Sequence, residues 1–410
     1  LGREAEALGV EIYPGFAASD VVYGENGEVR GVVAGVMGIG ADGQKKPDYE
    51  PGMELLGKYV LFAEGARGSL TKQIMNKYDL QADCDPQKFG IGLKEVWSVP
   101  EEIFVDGLVQ HSFGWPVQDK DGNGGGFLYH FRDNGEPFVS VGYVVHLNYK
   151  NPYLSPYEEF QRYKHHPDIK RYLEGGKRVA YGARAITSGG LQSIPKLSFP
   201  GGALIGCCAG FVNLPRIKGT HNAMKTGMLG AEAAFEAIKA GRSGDEMTEY
   251  DDAMHASWVQ KDLSTVRNMK PLMSRFGTMI GAMIGVPDMW MRSLLGFGFL
   301  PTLKHGKTDA ASLKPAKNFS PITYPKPDGV LSFDKLTNVS FTNTFHGEDQ
   351  PVHLKVLDMA LQKSSEHDVY AGPSARYCPA GVYEWIEEGG ELKFQINAQN
   401  CIHCKTCDIK

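Results

Sequence analysis

The pattern of hydrophobic and polar positions in residues 1–33 predicts, in order, a helix, a strand, a turn and a strand. Residues 10–13 and 29–36 are extended runs on either side of a glycine turn at 24–27, which predicts a hairpin. Residues 41–52 are polar and predict a loop. Residues 58–63 form a short apolar run of the buried-strand type. The first sixty residues are therefore expected to be mostly strand and turn.

The middle of the chain alternates between the two periods. Residues 84–150 contain strand-like runs separated by glycine-rich turns, and the turn at 119–126 predicts a hairpin tip. Residues 156–174 have a helical, basic pattern, whereas residues 182–200 have no regular period. Residues 203–208 predict another buried strand. The pattern indicates a sheet followed by a return to a buried strand.

Helical periodicity dominates the next part. A helix is predicted from Thr220 to about Ala240, where Gly241 ends it, and helical pattern continues through residues 245–300. Residues 311–330 are rich in proline and read as a linker. The last eighty residues then predict a small strand-rich unit. With 410 residues, two to three domains are expected.

Two apolar stretches are long enough to be considered as membrane segments. Residues 197–215 carry no charge, but their prolines and glycines favour a buried strand and loop. Residues 272–303 are rich in Met, Leu, Ile, Phe and Trp, and charged residues divide them into runs too short to cross about 30 Å of hydrocarbon. They fit either a helix pair in the membrane interface or a buried core pair. Composition alone slightly favours the core pair.

Charge excludes one class of partner. The formal net charge is −5, whereas a nucleic-acid-binding protein is usually basic. The basic segment 162–184 is best explained as a solvated face rather than a contact for lipid headgroups or a protein. Glycine contributes 50 of 410 residues, above the usual level of about 7%, which indicates many tight turns or close backbone approaches to a ligand.

Three of the seven cysteines form a C-x2-C-x2-C run, Cys401, Cys404 and Cys407. This spacing is typical of iron–sulfur ligation, in which one tight loop supplies three thiolates. Cys378 precedes a proline upstream, and the predicted hairpin between them would return it to the same corner. Structural zinc prefers two separated knuckles, so one [4Fe–4S] cluster is favoured over zinc. His403, inside the run, is interpreted as a solvent-facing or backbone-bonded residue.

The other cysteines lack the spacing of metal ligands. Cys84, Cys207 and Cys208 are interpreted as small buried residues. An odd number of cysteines in a long chain does not fit a disulfide framework, so a reducing compartment is expected.

Two strand–turn–helix segments suggest a dinucleotide site, although no G-x-G-x-x-G is present. The first segment turns at Glu64-Gly65. In the second, a strand ends at Gly206 and a helix opens at Gly219-Thr220, with Thr220 as the predicted N-cap. A helix N-terminus stabilises a pyrophosphate or a reduced flavin. On this pattern alone an ordinary structural unit is favoured, and the first phosphate-binding turn is expected to precede Leu1.

From residue 58 to the end, the chain closely resembles the electron transfer flavoprotein–ubiquinone oxidoreductase family. The segments that carry the resemblance include SFGWPVQDKDGNGGGFLYH, NPYLSPYEEFQRYKHHP, IKGTHNAMKTG, CPAGVYEW and INAQNCIHCKTCDIK. The resemblance implies a multidomain fold of the α/β and α+β classes: a glutathione-reductase-type FAD fold, an inserted α+β quinone-binding domain and a C-terminal ferredoxin-like [4Fe–4S] domain. The expected domains are 1–83 with 180–284 for FAD, 84–179 with 285–331 for quinone and membrane contact, and 332–410 for the cluster.

The resemblance also implies cofactors and site residues. One [4Fe–4S] cluster would be held by Cys378, Cys401, Cys404 and Cys407, with hydrogen bonds from the hydroxyls of Tyr383 and Thr406. The quinone would lie against the backbone of Gly124 and Gly125, where the preceding residue is Asn123 instead of the family's tyrosine. FAD would contact Glu64, Gly65, Gly206, Gly219 and Thr220.

The implied activity is that of an electron-transferring-flavoprotein dehydrogenase, a monotopic oxidoreductase. It would accept electrons from reduced electron transfer flavoprotein and pass them to ubiquinone, at a mitochondrial inner membrane or a bacterial plasma membrane. The resemblance gives weight to residues 272–303 as the membrane contact. Two alternatives stay open: a flavin-dependent reductase of prenyl double bonds, and a cluster-bearing protein without enzymatic activity.

Overall fold

The structure is a computed structural model that describes residues 1–117 and 121–410. Its strands are β1 Ala18–Tyr23, β2 Val29–Ala34, β3 Met37–Ile39, β4 Lys45–Glu50, β5 Met53–Leu56, β6 Val60–Phe62, β7 Phe89–Ser98, β8 Val109–Phe113, β9 Gly124–Asp133, β10 Glu136–His146, β11 Lys177–Thr187, β12 Ser198–Phe199, β13 Gly202–Leu204, β14 Tyr383–Glu388 and β15 Glu391–Ile396. Its helices are α1 Gly2–Ala7, α2 Ser69–Lys77, α3 Pro156–Lys164, α4 Pro167–Lys170, α5 Thr220–Lys239, α6 Thr248–Ala256, α7 Trp258–Val266, α8 Met269–Leu295, α9 Lys335–Val339, α10 Met359–Leu361 and α11 Ser374–Tyr377.

A five-stranded antiparallel sheet, in the order β11-β7-β10-β9-β8, forms the centre of one core. Alternate residues of β7 point to the same face of the sheet, and Ile91, Leu93, Glu95 and Trp97 are all buried there. Helix α3 packs against this face, and its Lys164 pairs with Glu95 at 2.8 Å. This sheet confirms the strand-like pattern predicted for residues 84–150.

A second core surrounds a small sheet in which β6 and β13 run parallel. The strand predicted at 58–63 and the helix predicted from Thr220 to Ala240 are confirmed as β6 and α5. Helices α2, α5, α6 and α7 cover this sheet, and Phe62, Phe199 and Tyr250 are buried between them. The arrangement places the strand–turn–helix segments of the predicted dinucleotide site side by side.

Several local predictions are wrong. Residues 10–13 are exposed and form no strand. The strand that pairs with β2 is β1 instead, and its Val21 is buried. The polar loop at 41–52 contains β4, which pairs with β3 in an exposed hairpin. Strand β11 continues into the region predicted as irregular, because its ladder with β7 runs to Thr187.

The C-terminal unit is less regular than predicted. In the described chain after residue 331, strands occur only in the β14–β15 hairpin, accompanied by short helices. Segments of this unit bond to the edge strand β11 rather than to a sheet of their own. The N–H of Tyr181 donates to the carbonyl of Phe341 at 3.0 Å, and the N–H of Ala185 donates to that of Cys404 at 2.8 Å. Two carbonyls of this unit thus accept hydrogen bonds from the neighbouring sheet.

Helix α8 corrects the prediction of a buried core pair at 272–303. The helix breaks at Gly277, whose φ of 81° is outside the helical region, and resumes as far as Leu295. Large apolar side chains on it are exposed, with Met283 at 73% and Leu294 at 75%. None of the helices in the described ranges combines the length and apolar character that a membrane crossing requires.

The predicted hairpin tip at 119–126 is partly outside the described residues, since 118–120 are not described. Residues Gly124, Gly125 and Gly126 open strand β9 and pair with β10, and Gly125 and Gly126 also pair with β8.

Candidate functional site

Four cysteines line one cavity of about 330 Å³. Cys378 directly follows helix α11, and the other three belong to the loop after β15. The β14–β15 hairpin joins the two positions, and the N–H of Asn397 closes it on the carbonyl of Val382 at 2.7 Å. Cys378, Cys401 and Cys404 are buried, whereas Cys407 is exposed. The convergence predicted from the spacing is what the structure contains.

The backbone of the cysteine loop turns sharply. His403 and Lys405 both have left-handed conformations, with φ of 54° and 68°. The N–H of His403 donates to the sulfur of Cys401 at 3.4 Å. Non-glycine residues rarely adopt positive φ, and such positions concentrate where a ligand dictates the backbone. All three cysteines of this loop line the cavity.

Two hydroxyls reach the sulfur atoms. The Oγ1 of Thr406, a fully buried residue, lies 3.3 Å from the Sγ of Cys404. The hydroxyl of Tyr383, at the start of β14, forms a hydrogen bond with Cys407. The structure thus brings both residues singled out by the sequence to the cysteine set.

Electrostatics show that the thiols need a positive partner to ionise together. Burial, together with the neighbouring Cys378 and Cys407, raises the pKa of Cys404 to about 12. Burial also raises the pKa of Cys401 and Cys407. Thiolates are the form that binds metal, and a bound metal deprotonates them. Four converging sulfur donors with hydroxyl hydrogen bonds fit a [4Fe–4S] cluster.

The other three cysteines were predicted to be small buried residues, and the structure confirms this for one of them. Cys208 is buried, whereas Cys84 and Cys207 are half-buried, and burial raises the pKa of all three thiols.

A second cavity, of about 380 Å³, lies next to the cysteine cavity and shares Lys72 and Asp408 with it. Asp408 pairs with Lys72 at 2.6 Å and with Arg67 at 3.3 Å, so the cysteine loop is tied to the start of helix α2. Cys208 and Ala209 also line this cavity. Sequence reasoning missed these three charged residues; their position beside the glycine turn and the cysteine run was the available indication.

The residues predicted to contact FAD are not among the described residues that line this second cavity. Glu64 caps helix α2, where its Oε2 accepts from the N–H and the hydroxyl of Thr71 at 2.5 and 2.7 Å. Gly65 and Gly206 have positive φ. The N–H of Gly206 donates to Thr226 at 3.1 Å. These residues hold the turns that precede the two helices.

Thr220 is not the N-cap of helix α5. Gly219 is the N-cap and Thr220 is the first helical residue. The preceding loop ends at Lys218, which forms a β-bridge with Asn213, so the helix begins directly after it. Gly219 makes no side-chain cap, so the first N–H groups of the helix have no side-chain acceptor at that position.

The predicted quinone-binding pair opens strand β9. The carbonyl of Gly124 accepts from the N–H of Gly114 at 2.8 Å. A Cβ on Gly124 would lie 2.5 Å from the hydroxyl of Tyr143, and one on Gly125 would lie 2.7 Å from the carbonyl oxygen of Ser112. Only glycine fits at either position.

Asn123 connects this glycine pair to the exposed apolar helix. Its amide donates to the hydroxyl of Thr278 at 2.8 Å, just after the break in α8. A cavity of about 320 Å³ lies beside it, between the turn at Gly122 and the α8 residues Met273 and Gly277. The glycine pair therefore lies next to a cavity beneath the exposed apolar helix.

Comparison with known proteins gives consistent matches. A family model described as ETF-QO, ubiquinone-binding, matches residues 89–186, and a model described as electron transfer flavoprotein-ubiquinone oxidoreductase, 4Fe-4S, matches residues 329–410. The mitochondrial electron transfer flavoprotein-ubiquinone oxidoreductase of Rattus norvegicus is 52% identical over 419 residues, which cover all of this chain and 67% of the relative. The chain belongs to the electron transfer flavoprotein–ubiquinone oxidoreductase family.

Bacterial members of the electron transfer flavoprotein–ubiquinone oxidoreductase family are equally similar. The oxidoreductase of Pseudomonas aeruginosa is 52% identical over 413 residues, which cover all of this chain and 74% of that protein. Among solved structures, a geranylgeranyl bacteriochlorophyll reductase-like protein of Thermoplasma acidophilum gives a TM-score of 0.48 at 17% identity, covering 69% of this chain and 64% of that one. A structural likeness at this level supports no inference about activity. The family resemblance predicted from the sequence is confirmed by the sequence matches.

Proposed function

We propose that this chain accepts electrons from reduced electron transfer flavoprotein and passes them to ubiquinone. The observation that carries the proposal is the convergence of Cys378, Cys401, Cys404 and Cys407 on one cavity, inside the residues matched by the family's 4Fe-4S model. The ubiquinone-binding model covers the glycine pair of β9. In an oxidoreductase with both units, the cluster unit accepts single electrons and the quinone-binding unit delivers two electrons to ubiquinone.

The four cysteines are proposed as the cluster ligands, and the cluster, when bound, supplies a carrier of one electron at a time. Thr406 and Tyr383 direct hydrogen bonds to two of the sulfurs. Such bonds favour the more negative form of the site, so both residues raise its reduction potential. Strand β11 positions the loop, since Ala185 and Arg184 donate to the carbonyls of Cys404 and His403 at 2.8 and 3.2 Å.

We propose FAD as the second cofactor, beside the cavity lined by Cys208 and Ala209. Glu64, Gly65 and Gly206 shape the turns there, and the uncapped start of α5 at Gly219 and Thr220 offers N–H groups to an anionic ligand. When bound, a flavin supplies a carrier of one or two electrons, which matches a single-electron donor to a quinone.

The corresponding domains are proposed as 1–83 with 180–284 for FAD, 84–179 with 285–331 for quinone, and 332–410 for the cluster.

Gly124 and Gly125 are proposed to contact the quinone, next to the cavity at Asn123. Helix α8 covers this cavity and exposes Phe276, Met279 and Met283 to the surroundings. Apolar side chains on one exposed surface helix fit insertion into a membrane interface. Peripheral association with a mitochondrial inner membrane or a bacterial plasma membrane would bring the quinone site to its lipid-soluble substrate.

The test is reduction of ubiquinone-1 by the full-length protein with reduced electron transfer flavoprotein. Cys404→Ala should abolish this activity, because one cluster ligand is lost, and Cys84→Ala is the matched control, because Cys84 lies outside the cysteine cavity. Absence of turnover in protein that retains full iron, sulfide and FAD would refute the proposal. Activity on a prenyl double bond that survives Cys404→Ala would instead support the reductase alternative.

A further inference from the structure

Three histidines from distant parts of the sequence meet at the surface of the cysteine loop. His346 and His353 lie before α10, and His403 lies within the loop. Their ring centres are 5.3 Å apart for His346 and His353, 5.0 Å for His346 and His403, and 4.7 Å for His353 and His403. None of the three is needed as a ligand by the four-cysteine set. Their convergence therefore requires a separate explanation.

Two of these rings present ligand atoms to a cysteine sulfur. One nitrogen of His353, one nitrogen of His403 and the Sγ of Cys401 all lie within 4.8 Å of one another. Zinc binds imidazole nitrogen at about 2.0–2.1 Å and thiolate at about 2.3 Å, so tetrahedral ligand atoms lie about 3.5 Å apart. Side-chain rotations that move these ligand atoms by roughly an ångström bring the three atoms to that spacing. His353 can make such a movement because it is exposed at the surface.

The third histidine fixes the position of this site. The Nε2 of His346 lies 2.6 Å from the carbonyl oxygen of Cys401, which fits an N–H donating to that oxygen. This contact holds the backbone that carries the cysteine sulfur. Hydrogen bonds of this kind, one shell outside the ligands, orient the ligands of metal sites. His346 is thus a positioning residue for the Cys401 end of the site.

We propose that His353, His403 and the sulfur of Cys401 bind a single metal ion of the zinc class at the solvent edge of the cluster site. Mixed nitrogen and sulfur donors select zinc and similar transition metals over magnesium or calcium. Binding forms three dative bonds and displaces water from the ion, and no electron is transferred, since zinc has no redox chemistry. The proposal rests on the proposed function in treating Cys401 as a cluster ligand, whose thiolate the two metals would share.

A shared thiolate makes the site inhibitory. A second cation on the sulfur of Cys401 withdraws electron density from the cluster ligand and adds positive charge beside it. It also occupies the exposed edge of the cysteine cavity, which His353 and His403 line. We therefore expect zinc to slow electron entry and to change the spectrum of the reduced cluster.

The test is a zinc titration of the full-length holoenzyme, purified anaerobically, with three readouts: ubiquinone reduction, retained zinc after gel filtration, and the low-temperature EPR signal of the reduced cluster. We expect one retained zinc, inhibition that a chelator reverses, and an altered EPR signal. His353→Gln should raise the half-inhibiting zinc concentration by about tenfold or more, in the range seen when a metal site loses part of its support.

The control is His367→Gln, which should respond to zinc like the natural protein, because His367 is bonded to Asp368 away from the cysteine cavity. For each variant, the EPR signal with zinc is compared with the signal of the same variant without zinc. Equal inhibition and retention in His353→Gln, or an EPR signal that zinc leaves unchanged in the natural protein, would overturn the proposal. Zinc retention and the EPR signal can be measured even if the protein does not reduce ubiquinone. Failure of the proposed function can therefore be told apart from failure of the zinc proposal.

Discussion

The buried ion pair between Glu95 and Lys164 leads to the sharpest prediction about stability. Both side chains are completely buried. The Oε1 of Glu95 accepts from Lys164 at 3.0 Å and from Asn338 at 2.9 Å, and its Oε2 accepts from Lys164 at 2.8 Å and from Trp97 at 2.9 Å. The pair therefore joins the five-stranded sheet, helix α3 and helix α9 of the C-terminal unit.

Lys164→Met would remove the ammonium and keep the buried carboxylate. Two neutral donors, Trp97 and Asn338, and the nearby guanidinium of Arg178 would remain for a charge that has left water completely. Breaking a buried ion pair in this way costs about 3–5 kcal/mol. The double change with Glu95→Gln removes the charge while the amide oxygen still accepts a hydrogen bond. We therefore expect the double variant to be more stable than Lys164→Met alone.

The assay is guanidinium unfolding of the natural protein and both variants at pH 7. The matched control is Lys170→Met, which breaks the exposed pair of Lys170 with Glu174 at 3.3 Å. An exposed pair of this kind contributes about 0–1 kcal/mol. A loss below about 1 kcal/mol in Lys164→Met, or a double variant less stable than the single one, would refute the reasoning.

Two further predictions concern the site, and a third concerns stability. Thr406→Val should lower the cluster potential by up to about 60 mV in an EPR-monitored redox titration, because a hydrogen bond to a charged group is worth about 1.5 kcal/mol and is stronger in the reduced form; an unchanged potential would contradict it. Gly124→Ala should raise the KM for ubiquinone, since its Cβ would lie 2.5 Å from the Tyr143 hydroxyl, whereas Gly182→Ala meets nothing within 4 Å and should not. Burial lowers the pKa of Lys270 to about 8. Because the unfolded chain holds that proton more tightly, this residue should make stability rise with pH from about 8 to about 10.5, and Lys270→Met should flatten that part of the unfolding profile.

The sequence was informative where the chemistry depends on short spacing. The cysteine run and the hairpin between Cys378 and Cys401 both lie within a short stretch of sequence. The convergence of the four cysteines could therefore be predicted. The pair Gly124–Gly125 was found through resemblance, and its steric reason, the hydroxyl of Tyr143 on the neighbouring strand, is visible only in the folded sheet.

Features that depend on distant residues could not be predicted. His346 and His403 are more than fifty positions apart and have no common spacing, yet their rings are 5.0 Å apart. Asp408 was overlooked because its partners Arg67 and Lys72 belong to another part of the chain. The polarity of β4 concealed a strand, because an exposed hairpin needs no apolar face to pair.

Strand β11 lies at the edge of its sheet, and the C-terminal unit covers it. The carbonyls of Phe341 and Cys404 accept from the N–H groups of Tyr181 and Ala185 along that edge. An uncovered sheet edge is a template for pairing with other chains and for aggregation. The C-terminal unit therefore also protects the sheet, and removing residues 332–410 would leave β11 open to pairing with other chains.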